Sequence, residues 1–142
     1  MLTHFILSLA LFCAISAVAE RGDSSDTAYR PAFTLRVPID ATHYVEAKKP
    51  RLPCISRGEV GLFYGDHFGL KIDVQDNNVR SVKYERDLSK ADVTLEFKKG
   101  DPVDGKTTSL LMMQNRTKYT FVMDAAMEVP GRNDFIRTAF FL

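Results

Sequence analysis

"LLMMQNRTKYTFVMDAAMEVPG", Leu110 to Gly131, is the stretch whose reading decides the fold class. In its second half Tyr119, Phe121, Met123, Ala125, Met127 and Val129 share one parity, and Lys118, Thr120, Asp124 and Glu128 take the other. A period of two places successive side chains on opposite faces, so this is a strand with one buried and one wet face. In the first half Leu110-Leu111-Met112-Met113 is apolar at every position, which predicts a strand covered on both sides. Gln114 to Thr117 separates the two strands, and Pro130-Gly131 ends the second. Asn115-Arg116-Thr117 also spells a glycosylation triplet, but Asn and Thr side chains bond nearby backbone groups in turns, and the turn is the preferred reading.

The same period continues upstream. Phe33, Leu35 and Val37 alternate with polar residues up to Pro38, Thr42 to Ala47 is a weaker strand, and Val60 to Tyr64 a short one. Lys48 to Gly58, with two prolines and a glycine, reads as a connection. Phe68, Leu70, Ile72 and Val74 alternate with wet positions, and Gln75 to Asn78 supplies residues that tolerate left-handed backbone. Val79 to Glu85 then returns as the second arm of a hairpin. Ala91, Val93, Leu95 and Phe97 form a further strand, followed by a loop through Gly100 to Gly105, and Asp134 to Leu142 makes the last. Beyond the first residues no apolar run follows a helical spacing, although Asp87 to Ala91 has room for one turn. The expectation is an all-β fold: an antiparallel two-sheet, immunoglobulin-like sandwich of about 7–9 strands. With no tryptophan and no cysteine pair beyond the first residues, it is not an antibody-type domain.

The amino-terminal end predicts the compartment. Phe5 to Val18 is apolar, too short to span a bilayer, and followed by Ala17-Val18-Ala19 and then charge at Glu20 and Arg21. This predicts a signal peptide over 1–19, cleaved between Ala19 and Glu20, and hence a periplasmic or secreted protein. A lipid on Cys13 is excluded because Phe12 stands where a small residue is needed. Residues 20–31 read as a flexible leader and 32–142 as a single domain. No second apolar run approaches spanning length, so no stable membrane insertion is expected after cleavage. Nineteen basic against eighteen acidic residues give a net charge of +1, which offers no electrostatic case for nucleic acid.

Few residues invite chemistry. Once the signal is removed Cys54 is the one cysteine, and its neighbours Leu52, Pro53 and Ile55 favour a buried thiol. Asp66-His67 lies in a Gly65 to Gly69 loop, and a thiol or hydrolytic site built from Cys54, Asp66 and His67 is the enzymatic alternative. Paired ligand spacing for zinc, an acidic calcium loop and a phosphate-cradling glycine loop are all missing, so no metal or cofactor is expected. Arg21-Gly22-Asp23-Ser24 copies an adhesive tetrapeptide and is read as coincidence. The carboxyl end, with Phe135, Ile136, Phe140, Phe141 and Leu142, needs burial in a sheet or completion by a partner strand.

The apolar strand leading into "QNRTKYTFVMDAAMEVPG", Gln114 to Gly131, placed after a signal peptide, resembles uncharacterised periplasmic proteins of Gram-negative bacteria. The resemblance covers roughly Phe68 to Ala139 and implies an immunoglobulin-like sandwich, with no catalytic or ligand residues attached. The expected function is a non-catalytic binding or assembly module that meets a protein partner through a sheet edge or end loops. Tyr64, Asp66, His67, Phe68, Phe140 and Phe141 are the candidate contact residues. An envelope subunit whose sheet a partner strand completes is the remaining alternative.

Overall fold

The computed structural model describes residues 10–14, 28–38, 40, 42–128 and 135–142. Most of the expected signal peptide and leader, the Arg21 to Ser24 tetrapeptide and the Pro130-Gly131 turn lie outside them. Thirteen strands stand among the described residues, and no helix. They are β1 Ala10–Ala14, β2 Tyr29–Arg30, β3 Phe33–Pro38, β4 Tyr44–Lys49, β5 Leu52–Pro53, β6 Ile55–Ser56 and β7 Glu59–Leu62. Then follow β8 His67–Gln75, β9 Asn78–Glu85, β10 Val93–Val103, β11 Lys106–Asn115, β12 Val122–Glu128 and β13 Phe135–Phe141.

All pairings are antiparallel and no sheet closes into a barrel. A five-stranded sheet runs β13-β12-β1-β7-β6, a four-stranded sheet β11-β10-β8-β9, and β2–β5 and β3–β4 are two-stranded ribbons. Phe68, Leu70, Val82, Val93 and Leu95 from the four-stranded sheet share one buried cluster with Val60, Leu62, Met123 and Ala125 from the five-stranded sheet. The fold is therefore sandwich-like, held by apolar side chains from both sheets. The β3–β4 ribbon packs separately: Leu35 and Val37 bury against Phe63, and the Phe33 and Phe63 rings meet edge to face at 5.2 Å.

Three hairpins turn through two central residues of positive φ, the geometry whose twist matches the flanking strands. They are Arg57-Gly58 (53° and 78°), Asp76-Asn77 (51° and 60°) and Asp104-Gly105 (51° and 72°). Of these, Asp76-Asn77 lies within the turn read from the sequence.

The structure changes several sequence expectations. Lys48 to Gly58 contains two short strands, β5 and β6, rather than a plain connection. Gly100 to Val103 extends β10 through a register shift, so the loop shrinks to Asp104-Gly105. Leu110-Leu111-Met112-Met113 is not covered on both faces. β11 is an edge strand: Leu111 and Met113 pack on the core, while Leu110 and Met112 are 45% and 46% exposed. An unbroken apolar run marks two covered faces only when both faces meet another layer, and here one meets water. Tyr29 and Arg30, assigned to the leader by composition, form β2 and pair with Pro53 and Leu52.

Asp92 closes the junction between β8 and β10. Its carboxylate accepts the Ile72 amide at 2.9 Å and the Lys71 ammonium at 2.9 Å. Burial opposes its ionised form, but those two donors outweigh burial and hold the carboxyl below its ordinary value of 3.8. A depressed folded value contributes stability above 3.8 that is lost as pH falls through it. Asp92→Asn should therefore cost about 1 kcal/mol at pH 7. In urea titrations that deficit should vanish once the pH drops below the folded value of Asp92; a constant deficit would show that charge plays no part.

Candidate functional site

The Tyr64 to Phe68 segment connects β7 to β8, and the structure turns it inward. Asp66 accepts Arg30 Nε at 3.1 Å on both oxygens and Arg30 Nη2 at 2.5 Å, with side-chain exposures of only 11% and 18% for Arg30 and Asp66. Asp66 also accepts the Phe63 amide at 2.7 Å, while Arg30 donates to the Gly61 and Pro53 carbonyls at 2.6 and 3.4 Å. The guanidinium lies over the Phe63 and Phe68 rings at 5.0 and 5.6 Å. These bonds tie β2, β5, β7 and β8 together, and Gly65 and Asp66 exchange backbone bonds with Phe97 of β10. Tyr64 stacks edge-on against Phe97 and Phe68 packs on Tyr84, in the core. Of the candidate contacts in this segment only His67 is exposed. The segment is a clamp, because an ionised pair taken out of water needs this full set of partners.

The enzymatic alternative joins only in part. Cys54 is buried at 5% exposure and lies within electrostatic reach of Arg30 and Asp66. Burial pushes its thiol up, with Asp66 adding to that and Arg30 opposing it. A thiol shifted this way holds less of the nucleophilic thiolate. His67 faces solvent while Cys54 packs in the core, so the structure does not pair them as base and nucleophile. A thiol reagent should modify Cys54 in urea-unfolded protein at least tenfold faster than in folded protein. Equal rates would place the thiol at the surface.

The carboxyl-terminal edge is different. Among the described residues β13 pairs with β12 on one side only, and the ladder runs on through Phe121 and Leu142, whose amides and carbonyls exchange bonds at 2.9 and 3.0 Å. Phe140 sits opposite Met123 and packs on the core; Phe141 sits opposite Val122 and turns outward. Val122 is 58% exposed and Phe141 77%, so two apolar side chains stand side by side in water, one on the edge strand β13 and one on its neighbour β12. Next to them a cleft of about 420 Å³ opens between the β8–β9 hairpin and residues 118–123. Ile72, Val74, Val79 and Phe121 give its apolar lining, and Asn77 and Lys118 add polar groups.

Asn115 fixes the approach to this edge. Its Nδ2 donates to the Tyr119 carbonyl at 2.6 Å and the Leu142 carbonyl at 3.1 Å, and its Oδ1 accepts the Thr117 amide and hydroxyl at 2.8 Å each. Those bonds are what a turn former makes, and they engage the nitrogen that a glycan would need. Sequence reasoning passed over Val122 although a signal was there. It is the large apolar residue on a parity otherwise made of Lys118, Thr120, Asp124, Ala126 and Glu128. Arg30 carried no such signal, because nothing in Tyr29-Arg30-Pro31 announces a carboxylate 36 residues away. Compared with family models, with curated proteins and with solved structures, the chain matches none.

Proposed function

We propose that this chain is an exported, non-catalytic binding or assembly module of the immunoglobulin-like sandwich kind, working in the periplasm or outside the cell. It meets a protein partner along the β13 edge. The observation that carries the reading is the exposed pair of Phe141, on the edge strand β13, and Val122, beside it on β12. An extended apolar segment added there gains main-chain hydrogen bonds from the edge and burial from the pair. The adjoining cleft offers room for one of its side chains. A thiol enzyme draws no support from a buried Cys54 whose pKa is raised.

A photocrosslinking residue placed at Phe141 of the exported protein, irradiated in the intact cell envelope, tests the proposal. The expected result is one discrete adduct, reduced at least tenfold by Val122→Lys with the thermal midpoint unchanged, since Val122 already faces water. Adducts spread evenly over abundant envelope proteins, or an adduct indifferent to Val122→Lys, would reject the edge as a recognition surface.

A further inference from the structure

β11 is the end strand of the four-stranded sheet, and among the described residues β10 is its one neighbour. The bonds of β10 show which backbone groups of β11 stand open. Phe97 donates its amide to the Asp66 carbonyl at 2.9 Å and its carbonyl accepts the Gly65 amide at 2.8 Å, so its backbone groups point away from β11. Those of Glu96 and Lys98 point the opposite way, because successive residues of a strand present their backbone groups to opposite sides. Their partners across the ladder are Met112 and Leu110, whose amides and carbonyls are thereby used inside the sheet. The amides and carbonyls of Ser109, Leu111 and Met113 point out of it.

This stretch carries none of the devices that keep exposed edges apart. From Thr107 to Asn115 the sequence holds no charged residue, no proline and no glycine. The next charge, Arg116, is turned aside, donating to the Leu88 carbonyl at 2.5 Å and to Gln114 Oε1 at 3.3 Å. On the outward face Leu110 and Met112 are nearly half exposed, while Leu111 and Met113 pack on the core. The opposite end of the same sheet differs: β9 carries exposed Arg80 and Lys83 and meets β8 through a register shift. An uncharged strand such as β11 is complementary to itself, since antiparallel pairing about a two-fold axis sets its apolar residues against one another.

We propose that β11 is a self-association edge, on which two copies of the chain pair β11 with β11, antiparallel about a two-fold axis at Leu111, and join their four-stranded sheets into one. Leu111 then lies opposite Leu111 and Ser109 opposite Met113, and these residues exchange about six main-chain hydrogen bonds. Leu110 of each copy lies opposite Met112 of the other as a non-hydrogen-bonded pair, the arrangement that brings side chains closer, and the two pairs shield each other from water. The like-charged pair of this register, Lys106 with Arg116, falls beyond the apolar stretch, where Arg116 is held at Leu88. Pairing uses up both β11 edges and leaves the charged β9 edges outermost, so assembly stops at the dimer. The β13 edge belongs to the other sheet, and the dimer does not rest on the partner proposed for it.

Purified protein should sediment as a dimer at about 100 µM and as a monomer at about 1 µM, since one strand per copy makes a small interface. Amide exchange should follow the alternation. Ser109, Leu111 and Met113 should slow on concentration, while Leu110 and Met112 are protected throughout. Leu110→Lys with Met112→Lys should weaken the dimer roughly thirtyfold, because lysines then oppose lysines across the axis. Leu110→Glu with Met112→Glu should do the same, and an equal mixture of the two variants should recover the dimer as a mixed pair. Both variants should keep the thermal midpoint of the monomer, as the two positions already face water. A monomer at the higher concentration, with the Ser109, Leu111 and Met113 amides unprotected, overturns the proposal. Protection of those amides at both concentrations overturns it as well, because the same chain then covers the edge. So does a dimer indifferent to the paired lysines, a mixture that stays monomeric, or growth beyond two copies. None of these outcomes touches the Phe141 crosslink, so the two proposals fail separately.

Discussion

Asp66→Ala is expected to lower the free energy of unfolding by about 3–5 kcal/mol, the usual cost of breaking a buried pair by removing one partner. The carboxylate receives three contacts from Arg30 and one from the Phe63 amide, and the alanine leaves all of those donors without their acceptor. Arg30 is then a nearly buried cation, with two ring faces and two carbonyls still in reach. The double change Arg30→Met with Asp66→Leu should recover part of the loss, because well-packed apolar groups often replace a buried pair at little cost. Urea midpoints at constant m-value measure all three proteins. A loss below about 1 kcal/mol for Asp66→Ala, the range of surface pairs, would mean that the Tyr64 to Phe68 segment is not the clamp described above.

Asn115→Ala is expected to cost about 2–3 kcal/mol, because one side chain serves two carbonyls and an amide from three places in the chain. The loss should be local as well as global. Amides of Phe121 and Leu142, which depend on the carboxyl terminus staying beside residue 121, should exchange faster than those of β8 and β10. Asn115→Asp separates the donor from the acceptor role. It keeps an oxygen for the Thr117 amide but sets a carboxylate against the Tyr119 and Leu142 carbonyls. The folded protein then favours the protonated acid, so the pKa of the new group rises above the unfolded value of about 3.9. Its destabilisation is full above the raised value and disappears below about pH 3.9. A pH-independent Asn115→Asp would show that the Nδ2 bonds carry little.

Much of the fold was legible because sheet burial is written locally. Alternation along Phe68 to Val74 and Val93 to Phe97 places one parity on the core, and Phe68, Leu70, Val93, Leu95 and Phe97 are buried as that pattern requires. Turn chemistry was equally local at Asp76-Asn77, where the residues accept positive φ. Apolar residues on the outward parity could not be resolved in the same way. Leu110, Met112, Val122 and Phe141 carry the same local signal whether a layer covers them or water does. The candidate site was therefore half visible. Phe140 and Phe141 were named from the apolar ending, while Val122 and the cleft beside it emerge only when β12 is laid against β13 and the β8–β9 hairpin.

By itself the sequence determined the long alternating strands, such as Phe68 to Val74 and Val93 to Phe97, and the face each turns to the core, since a period of two needs no distant partner. Only the tertiary structure decided which strands lie at edges and which loop residues are drawn inside. Arg30 and Asp66 read as polar leader and polar loop until 36 positions of chain fold back to join them. An edge and an ion pair are relations between segments distant in sequence, and no local pattern encodes them.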